Sequence, residues 1–294
     1  MQDAKFLVGV DGGGTRCRAR ISDMDGKILG EGRGGPANTR LGLDVAFGSI
    51  IAATDIALAS AGLSLDRKKD LHAGLGLAGV SLQRERDLLA SYEHPFKSMT
   101  IESDAYIACL GAHGGQDGGI LILGTGSCGC AILGGEEHTV GGWGFEISDH
   151  GSGAFIGHQA VRGALLAFEG VIPMGGLAIE VMDCLGNSPE RAVPWAEKAT
   201  PAKYGAFAPL VSQWADDGDE MAEGIMRQAA QDTALLLRAL QAKGTDRVVL
   251  IGGVAKAIDK WLPEDVKSFL VSPKGDSLDG ALLLARMYCE KNDS

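Results

Sequence analysis

The sequence predicts an α/β protein built from two similar halves, and three observations carry that prediction. The chain has 294 residues, about twice an ordinary domain of roughly 150. An apolar strand, a glycine-rich turn and a second strand occur twice, at FLVGVDGGGTRCRARIS (6–22) and again at GGILILGTGSCGCAILGG (118–135). After each copy, helix-like and strand-like segments alternate, as in α/β units with a ligand cleft between repeated halves. The glycine-rich stretch at 111–115 places the expected boundary: one half at 1–113, the other at 114–294, with the last helix (about 280–294) free to pack back on the first.

In chain order, Phe6–Val10 reads as a buried strand entering Asp11-Gly12-Gly13-Gly14-Thr15. Cys17, Ala19 and Ile21 alternate with Arg16, Arg18 and Arg20, a second strand with one polar face. Asp25-Gly26 signals a hairpin, with KILGEG as the third strand. Asp44 fits a helix N-cap, with Phe47, Ile50, Ile51 and Leu58 at helical spacing and Gly62 as the stop. LHAGLGLAG alternates Leu71, Ala73, Leu75 and Leu77 with His72, Gly74 and Gly76, a strand with two unlike faces. Leu82, Glu85, Leu88 and Leu89 fall in a short helix, and Met99–Glu102 is a strand that delivers Asp104 at its exit. The second half continues through a helix at 151–168, further helices over about 176–243, strands at RVVLIGG (247–253) and FLVSP (269–273), and a terminal helix from Ser277.

Composition narrows the functional classes. The 27 basic and 38 acidic residues give a net charge of −11, which argues against a nucleic-acid binder that must neutralise phosphates. No apolar run approaches the ~20 residues of a membrane span, and MQDAKFLVGV lacks the regions of a signal peptide. Six scattered cysteines are not a disulfide framework, so a reduced, cytoplasmic protein is expected. Glycine supplies 44 residues, about twice the usual ~7%. Glycine clusters beside strands mark places where backbone approaches a ligand.

The two turns carry the chemistry. Successive backbone N–H groups after a strand form an anion-binding nest, in which a side chain would obstruct a phosphate. Hydroxyls at Thr15, Thr125 and Ser127 add donors. Neither turn matches a Walker A loop or an intact GxGxxG. DGGGT alone is equally readable as a tight hairpin; its repetition favours a polyphosphate. Asp11, beside that nest, suits Mg²⁺ held directly or through water, or an Asx-turn cap. Asp104 is a candidate general base or a helix N-cap. The loop Gly141–Gly144 with Trp143, Glu146, Asp149 and His150 suits a sugar ring, or else a capping Asp with a hydrophobic-staple Trp.

VGVDGGGTRCRARI, SDAYIACLGA, LILGTGSCG, GGWGFEISDHGSG, VVLIGG and PKGDSLDGALLLA, in this order over residues 6–285, together resemble the actin/sugar kinase/heat-shock ATPase superfamily. Within it they resemble the bacterial N-acetylglucosamine and glucosamine kinases grouped with the BadF/BadG/BcrA/BcrD ATPases, and the mammalian N-acetylglucosamine kinase. The resemblance implies two actin-like (ribonuclease H-like) domains with a nucleotide and sugar cleft between them, ATP as co-substrate, Mg²⁺, and phosphorylation of an amino sugar at its 6-hydroxyl. It implies Asp11 on the metal side and Gly12, Gly13, Gly14 and Thr15 near the β- and γ-phosphates. Gly124, Thr125, Gly126 and Ser127 become the second phosphate motif, and Gly252 and Gly253 the adenosine motif. Asp104 becomes the catalytic base, itself at the substrate, and Asn38, Gly142, Trp143 and Asp149 become the sugar-binding residues. Where mammalian relatives carry Asp-Glu-Gly-Ser, this chain has Asp149-His150-Gly151-Ser152.

The expected substrate is N-acetylglucosamine, to which Trp143 points, with glucosamine as the alternative. The expected partners are small molecules, without nucleic acid or membrane, and a homodimer is compatible. Three other readings have counterparts in the sequence. A zinc-bearing repressor/sugar kinase would use Cys128, Cys130 and His138 but needs a third thiolate. An ATP-driven dehydratase activator needs cysteines bridging a dimer. A non-catalytic nucleotide switch would not need Asn38, Asp104 and the GGWG loop together.

Overall fold

In the computed structural model, residues 5–80 and 83–292 are described. The chain divides into two compact units, one formed by Met1–Gly118, Ile132–Glu137 and Ser272–Ser294, the other by Gly119–Ala131 and His138–Val271.

The first unit is a five-stranded sheet with helices packed on it. Its elements are β1 (Phe6–Gly12), β2 (Cys17–Asp23), β3 (Ile28–Gly34), α1 (Leu43–Ser60), β4 (Leu71–Leu77), α2 (Gln83–Ala90), β5 (Ser98–Ser103) and α3 (Asp104–Ala112). The strand order is β3-β2-β1-β4-β5, antiparallel from β3 to β1 and parallel from β1 to β5. Every residue of β4 is buried, so the expected difference between its faces is absent. A parallel strand in mid-sheet is covered on both sides, and its apparent polar face is glycine plus His72, whose Nδ1 meets Ser98 Oγ at 2.7 Å. Leu82 lies outside the described residues, while Glu85, Leu88 and Leu89 fall within α2 as expected.

Helix α1 begins at Leu43 after Gly42, whose φ is 104°, so Asp44 is not the cap. It sits in the first turn, where a carboxylate favours the helix dipole, and accepts a hydrogen bond from Tyr92 Oη at 2.7 Å. Tyr92 in turn stacks on Phe47 at 4.1 Å. This helix is 18 residues and apolar enough to cross a membrane by length and composition. Its Phe47, Ile50, Ala53, Ala57 and Leu58 instead enter the core beneath the sheet.

The second unit holds the sheet β8-β7-β6-β9. Its strands are β6 (Gly118–Leu123), β7 (Ser127–Leu133), β8 (Glu136–Gly141) and β9 (Val248–Ile251), with residues 132–137 of the β7–β8 hairpin belonging to the first unit. Between β8 and β9 come α4 (Gly153–Phe168), α5 (Gly176–Cys184), α6 (Pro189–Glu197), α7 (Pro201–Gly205), α8 (Ala208–Asp216) and α9 (Glu220–Ala242); α10 (Ala255–Asp259) and α11 (Glu264–Lys267) follow β9. The segment 269–273, expected to be a strand, makes only a bridge between Val248 and Leu270. Two backbone bonds hold it to Val248 before Pro273 ends the pairing.

The last helix, α12 (Ser277–Asn292), belongs to the first unit. A Cβ on Gly9 or Gly74 would strike its backbone, at Leu278 and Leu282 or at Ala281 and Ala285 respectively. A Cβ on Gly30 or Gly32 would likewise strike α1. Much of the glycine surplus therefore lets helices lie close on strands rather than letting backbone meet a ligand.

Candidate functional site

In the first unit, β1 delivers the DGGGT turn at its C-terminal end. Gly13 N donates to Arg16 O at 2.9 Å, Gly13 O accepts from Ala37 N at 3.0 Å, and Gly12 O accepts from Ala78 N at 2.8 Å. The turn is thus tied on three sides while Gly14, Thr15 and Arg16 stay exposed. Gly14 lacks a positive φ, and the nearest atom to a Cβ there is Asn38 Nδ2 at 3.9 Å. Protein packing does not require glycine at that position; an approaching ligand would. Asn38 caps the short 3-10 turn Thr39–Leu41 through its Oδ1, which accepts from Arg40 N at 2.9 Å. That leaves its amide nitrogen on the side of the DGGGT turn.

Asp104 opens α3, but Ser103 caps the helix, its hydroxyl accepting from Tyr106 N at 3.0 Å. Of the two roles the sequence left open for Asp104, the cap belongs to its neighbour. Asp104 Oδ1 accepts from the adjacent Ala105 N at 2.9 Å. Asp104 still reaches solvent, but the protein crowded around its carboxyl raises its pKa from the ordinary aspartate value, the Ala105 N–H opposes that rise, and Asp11 adds a further upward push. A carboxylate so perturbed, within electrostatic reach of Asp11, has the properties of a general base.

Asp11 faces Arg18 across the β1–β2 register. Its Oδ2 accepts from Arg18 at 2.7 Å and from Ser277 Oγ at 3.0 Å, and its Oδ1 has no protein partner among the described residues. Among those residues no group of three or more His, Cys, Asp or Glu is placed to hold a metal ion. One carboxylate with one open oxygen fits magnesium bound chiefly by water and phosphate oxygens, not a cage made by protein alone.

In the second unit, Gly124–Ser127 forms a tight turn closed by Gly124 N to Gly126 O at 2.9 Å. The first turn of α4 is pinned to it: Gly153 N donates to Gly124 O at 2.8 Å and Ala154 N to Thr125 O at 3.0 Å. A Cβ at Gly124 would meet nothing within 4 Å. Ser127 is buried and its hydroxyl has no partner among the described residues, whereas Thr125 is exposed. At the end of β9, Gly252 has φ 108° and its Cβ would strike Leu123 O, while Gly253 is open.

Gly124 and Gly253 border a cavity of about 750 Å³ that is also lined by Thr125, by Ile156, Ala208, Pro209, Met226 and Val254, and by the polar Ser212, Asp216, Lys256 and Lys260. Its volume and largely apolar walls suit a flat heteroaromatic group whose phosphates reach the Gly124 turn. Lys260 pairs with Asp216 beside it. The sequence reading identified the two glycine motifs but missed the contributions of α4, α8, α9 and α10. Those helices carry only ordinary amphipathic spacing, and their convergence is a tertiary fact.

The loop after β8 holds Gly141, Gly142, Gly144, Asp149 and Gly151 at positive φ. Trp143 is 69% exposed, so it is not a staple, and Ser152 rather than Asp149 caps α4. Asp149 is only 8% exposed, and its Oδ1 accepts from Ser127 N at 3.0 Å. The loop is also anchored by Phe145, which stacks on Tyr204 at 5.7 Å and meets His158 edge-on at 5.6 Å. Of the expected sugar residues, Gly142 and Trp143 thus lie on the exposed loop, and Asp149 braces the Gly124–Ser127 turn.

The sequence profile of the BadF/BadG/BcrA/BcrD ATPase family matches residues 8–285. The glucosamine kinase of Vibrio cholerae is 41% identical over 280 residues, covering 95% of both chains. The N-acetylmuramic acid/N-acetylglucosamine kinase of Clostridium acetobutylicum is 28% identical, covering 97% of this chain and all of its own. A solved structure from Chromobacterium violaceum, proposed to be an N-acetylglucosamine kinase, superposes with a TM-score of 0.86 at 36% identity, covering 96% of this chain and 99% of its own.

Proposed function

Because this chain belongs to the BadF/BadG/BcrA/BcrD ATPase family, we propose that it is an ATP-dependent amino-sugar kinase that phosphorylates the sugar 6-hydroxyl. The observation that carries this reading is Asp104: a carboxylate with a raised pKa, freed from capping by Ser103, in the same unit as the DGGGT turn. In the proposed reaction Asp104 takes the proton from the 6-hydroxyl as that oxygen bonds to the γ-phosphorus, and the bond from that phosphorus to the β–γ bridging oxygen breaks, releasing ADP. Gly12, Gly13, Gly14 and Thr15 present donors to the β- and γ-phosphates. Gly124, Thr125, Gly126 and Ser127 form the second phosphate motif, with donation from backbone and Thr125, because the Ser127 hydroxyl is buried. Gly253 borders the cavity that receives the adenosine, and Gly252 makes the turn that leads into it. Magnesium, bound with the nucleotide on the Asp11 side, supplies charge neutralisation along the polyphosphate.

Asn38, Gly142, Trp143 and Asp149 are assigned to the sugar, Asp149 through the oxygen not committed to Ser127 N. Glucosamine is the acceptor we favour, supported by the 41% identity to the Vibrio glucosamine kinase over nearly the whole chain. N-acetylglucosamine is the second reading, supported by the exposed Trp143 and the Chromobacterium structure. ADP release measured in parallel with glucosamine, N-acetylglucosamine, glucose and N-acetylmannosamine tests both. Highest kcat/KM for glucosamine is expected; activity confined to unmodified hexose, or none with any sugar, would remove the proposal.

A further inference from the structure

The environment of Asp11 carries an inference that rests on the metal-side role proposed for it. Arg18 NH2 lies 2.7 Å from Asp11 Oδ2 and 3.2 Å from Ser277 Oγ, and Ser277 Oγ itself lies 3.0 Å from the same carboxylate oxygen. Arg18 NH1 is also drawn toward Asp276 Oδ2 at 3.6 Å. Asp276 is held in turn by Arg20, which spans Asp276 at 2.9 Å, Asp279 at 2.6 Å and Glu31 at 2.6 Å. Arg18 is therefore fixed by the start of α12 as well as by strand pairing, and it holds a full positive charge against the carboxylate on whose open oxygen a free cation would dock. Asp11 and Arg18 are both shielded, at 22% and 33% side-chain exposure, so their attraction is screened less than that of a surface pair.

We propose that Arg18 keeps Asp11 closed to divalent metal until nucleotide binds, so that magnesium enters with the polyphosphate and not before it. A lone carboxylate already paired with a guanidinium is a poor site for a dication, which would meet both a missing ligand set and a like charge. A triphosphate reverses both conditions, because it brings oxygen ligands for the metal and anionic partners for Arg18.

The test is Mn²⁺ binding to the nucleotide-free protein, read by the electron paramagnetic resonance signal of unbound Mn²⁺. Wild type and Arg18→Lys, which keep the positive charge, should bind it weakly. Arg18→Met should bind at least about tenfold more tightly, since a full charge next to the site is removed. The gain should vanish in Arg18→Met/Asp11→Asn. Arg20→Met, which loosens the same start of α12 without touching Asp11, should stay at the wild-type level. An unchanged affinity in Arg18→Met, an equal gain in Arg20→Met, or a gain that survives Asp11→Asn would each overturn the proposal. Failure of the amino-sugar reading would show in the ADP-release panel and would leave these titrations unaffected.

Discussion

Gly124→Ala separates ligand approach from folding. At Gly124 a Cβ meets no atom within 4 Å, and φ lies outside the left-handed region. Alanine therefore introduces neither a clash nor backbone strain, and it narrows the unfolded ensemble, so stability should be unchanged or higher by about 0.4–1 kcal/mol. The same Cβ would occupy the space in front of the turn where a phosphate must come within about 3 Å of backbone N–H groups. Displacing that phosphate removes one or two charge-assisted hydrogen bonds of about 1.5–3 kcal/mol each. At ~1.4 kcal/mol per decade, ATP affinity should fall at least about tenfold, and about a hundredfold if both bonds go. Calorimetric titration with a non-hydrolysable ATP analogue, alongside thermal melting, measures the two effects separately. Wild-type nucleotide affinity in a normally folded Ala variant would refute the assignment of Gly124 to phosphate approach. Gly252→Ala is the counterpart: with φ 108° and Leu123 O in the way, it should lower the Tm before any ligand is added.

Asp104→Asn should lower kcat by at least ~10²-fold with nucleotide affinity intact, the usual worth of a general base. The raised pKa of Asp104 also fixes two signs. The acid limb of kcat/KM should lie higher than an ordinary aspartate would give. The native state binds more protons than the unfolded chain between the two pKa values, so stability falls as pH rises through that window. Asp104→Asn should thus melt no lower than wild type at pH 7, with the difference shrinking in acid; a marked loss of Tm at pH 7 would contradict this. Gly280→Ala should destabilise despite the better helix propensity of alanine, because its Cβ would strike Ile107 O in α3; overpacking costs about 1–3 kcal/mol, readable in urea unfolding. Trp143→Ala should leave the Tm within experimental scatter, since the ring is 69% exposed. It should raise KM for the sugar several-fold and leave KM for ATP unchanged; equal rises in both would remove Trp143 from the sugar side.

How far the sequence was legible depended on where the deciding contacts lie. Strands β1 to β3, the β6–β7 pair and the β5–α3 junction were readable because period, hairpin glycine and helix signals are local. Asp44 was misplaced as a cap by two residues, since Gly42 ends the preceding 3-10 turn and starts α1 in one step. The 269–273 segment has strand composition but reaches only a single bridge, a limit set by its neighbour and not by its own residues. The glycine surplus was read as ligand-facing. Gly14 and Gly124 are consistent with that reading, while Gly9, Gly30, Gly32, Gly74 and Gly280 answer to helices distant in sequence. Arg18 read as one of three arginines on a solvated face, and nothing near it in sequence announces Ser277 or Asp276.

The return of α12 to the first unit also bears on how the protein is made. Leu7, on β1, is buried with Leu282 and Ala285, so its cover is synthesised long after it. The whole inserted unit, Gly119–Ala131 and His138–Val271, is complete before that cover exists. The nascent first sheet must therefore wait with β1 and β4 bare, a stage at which apolar strands are open to misassembly. A chain cut before Ser277 would leave that sheet permanently half-dressed, and would be expected to collect in inclusion bodies however sound its second unit.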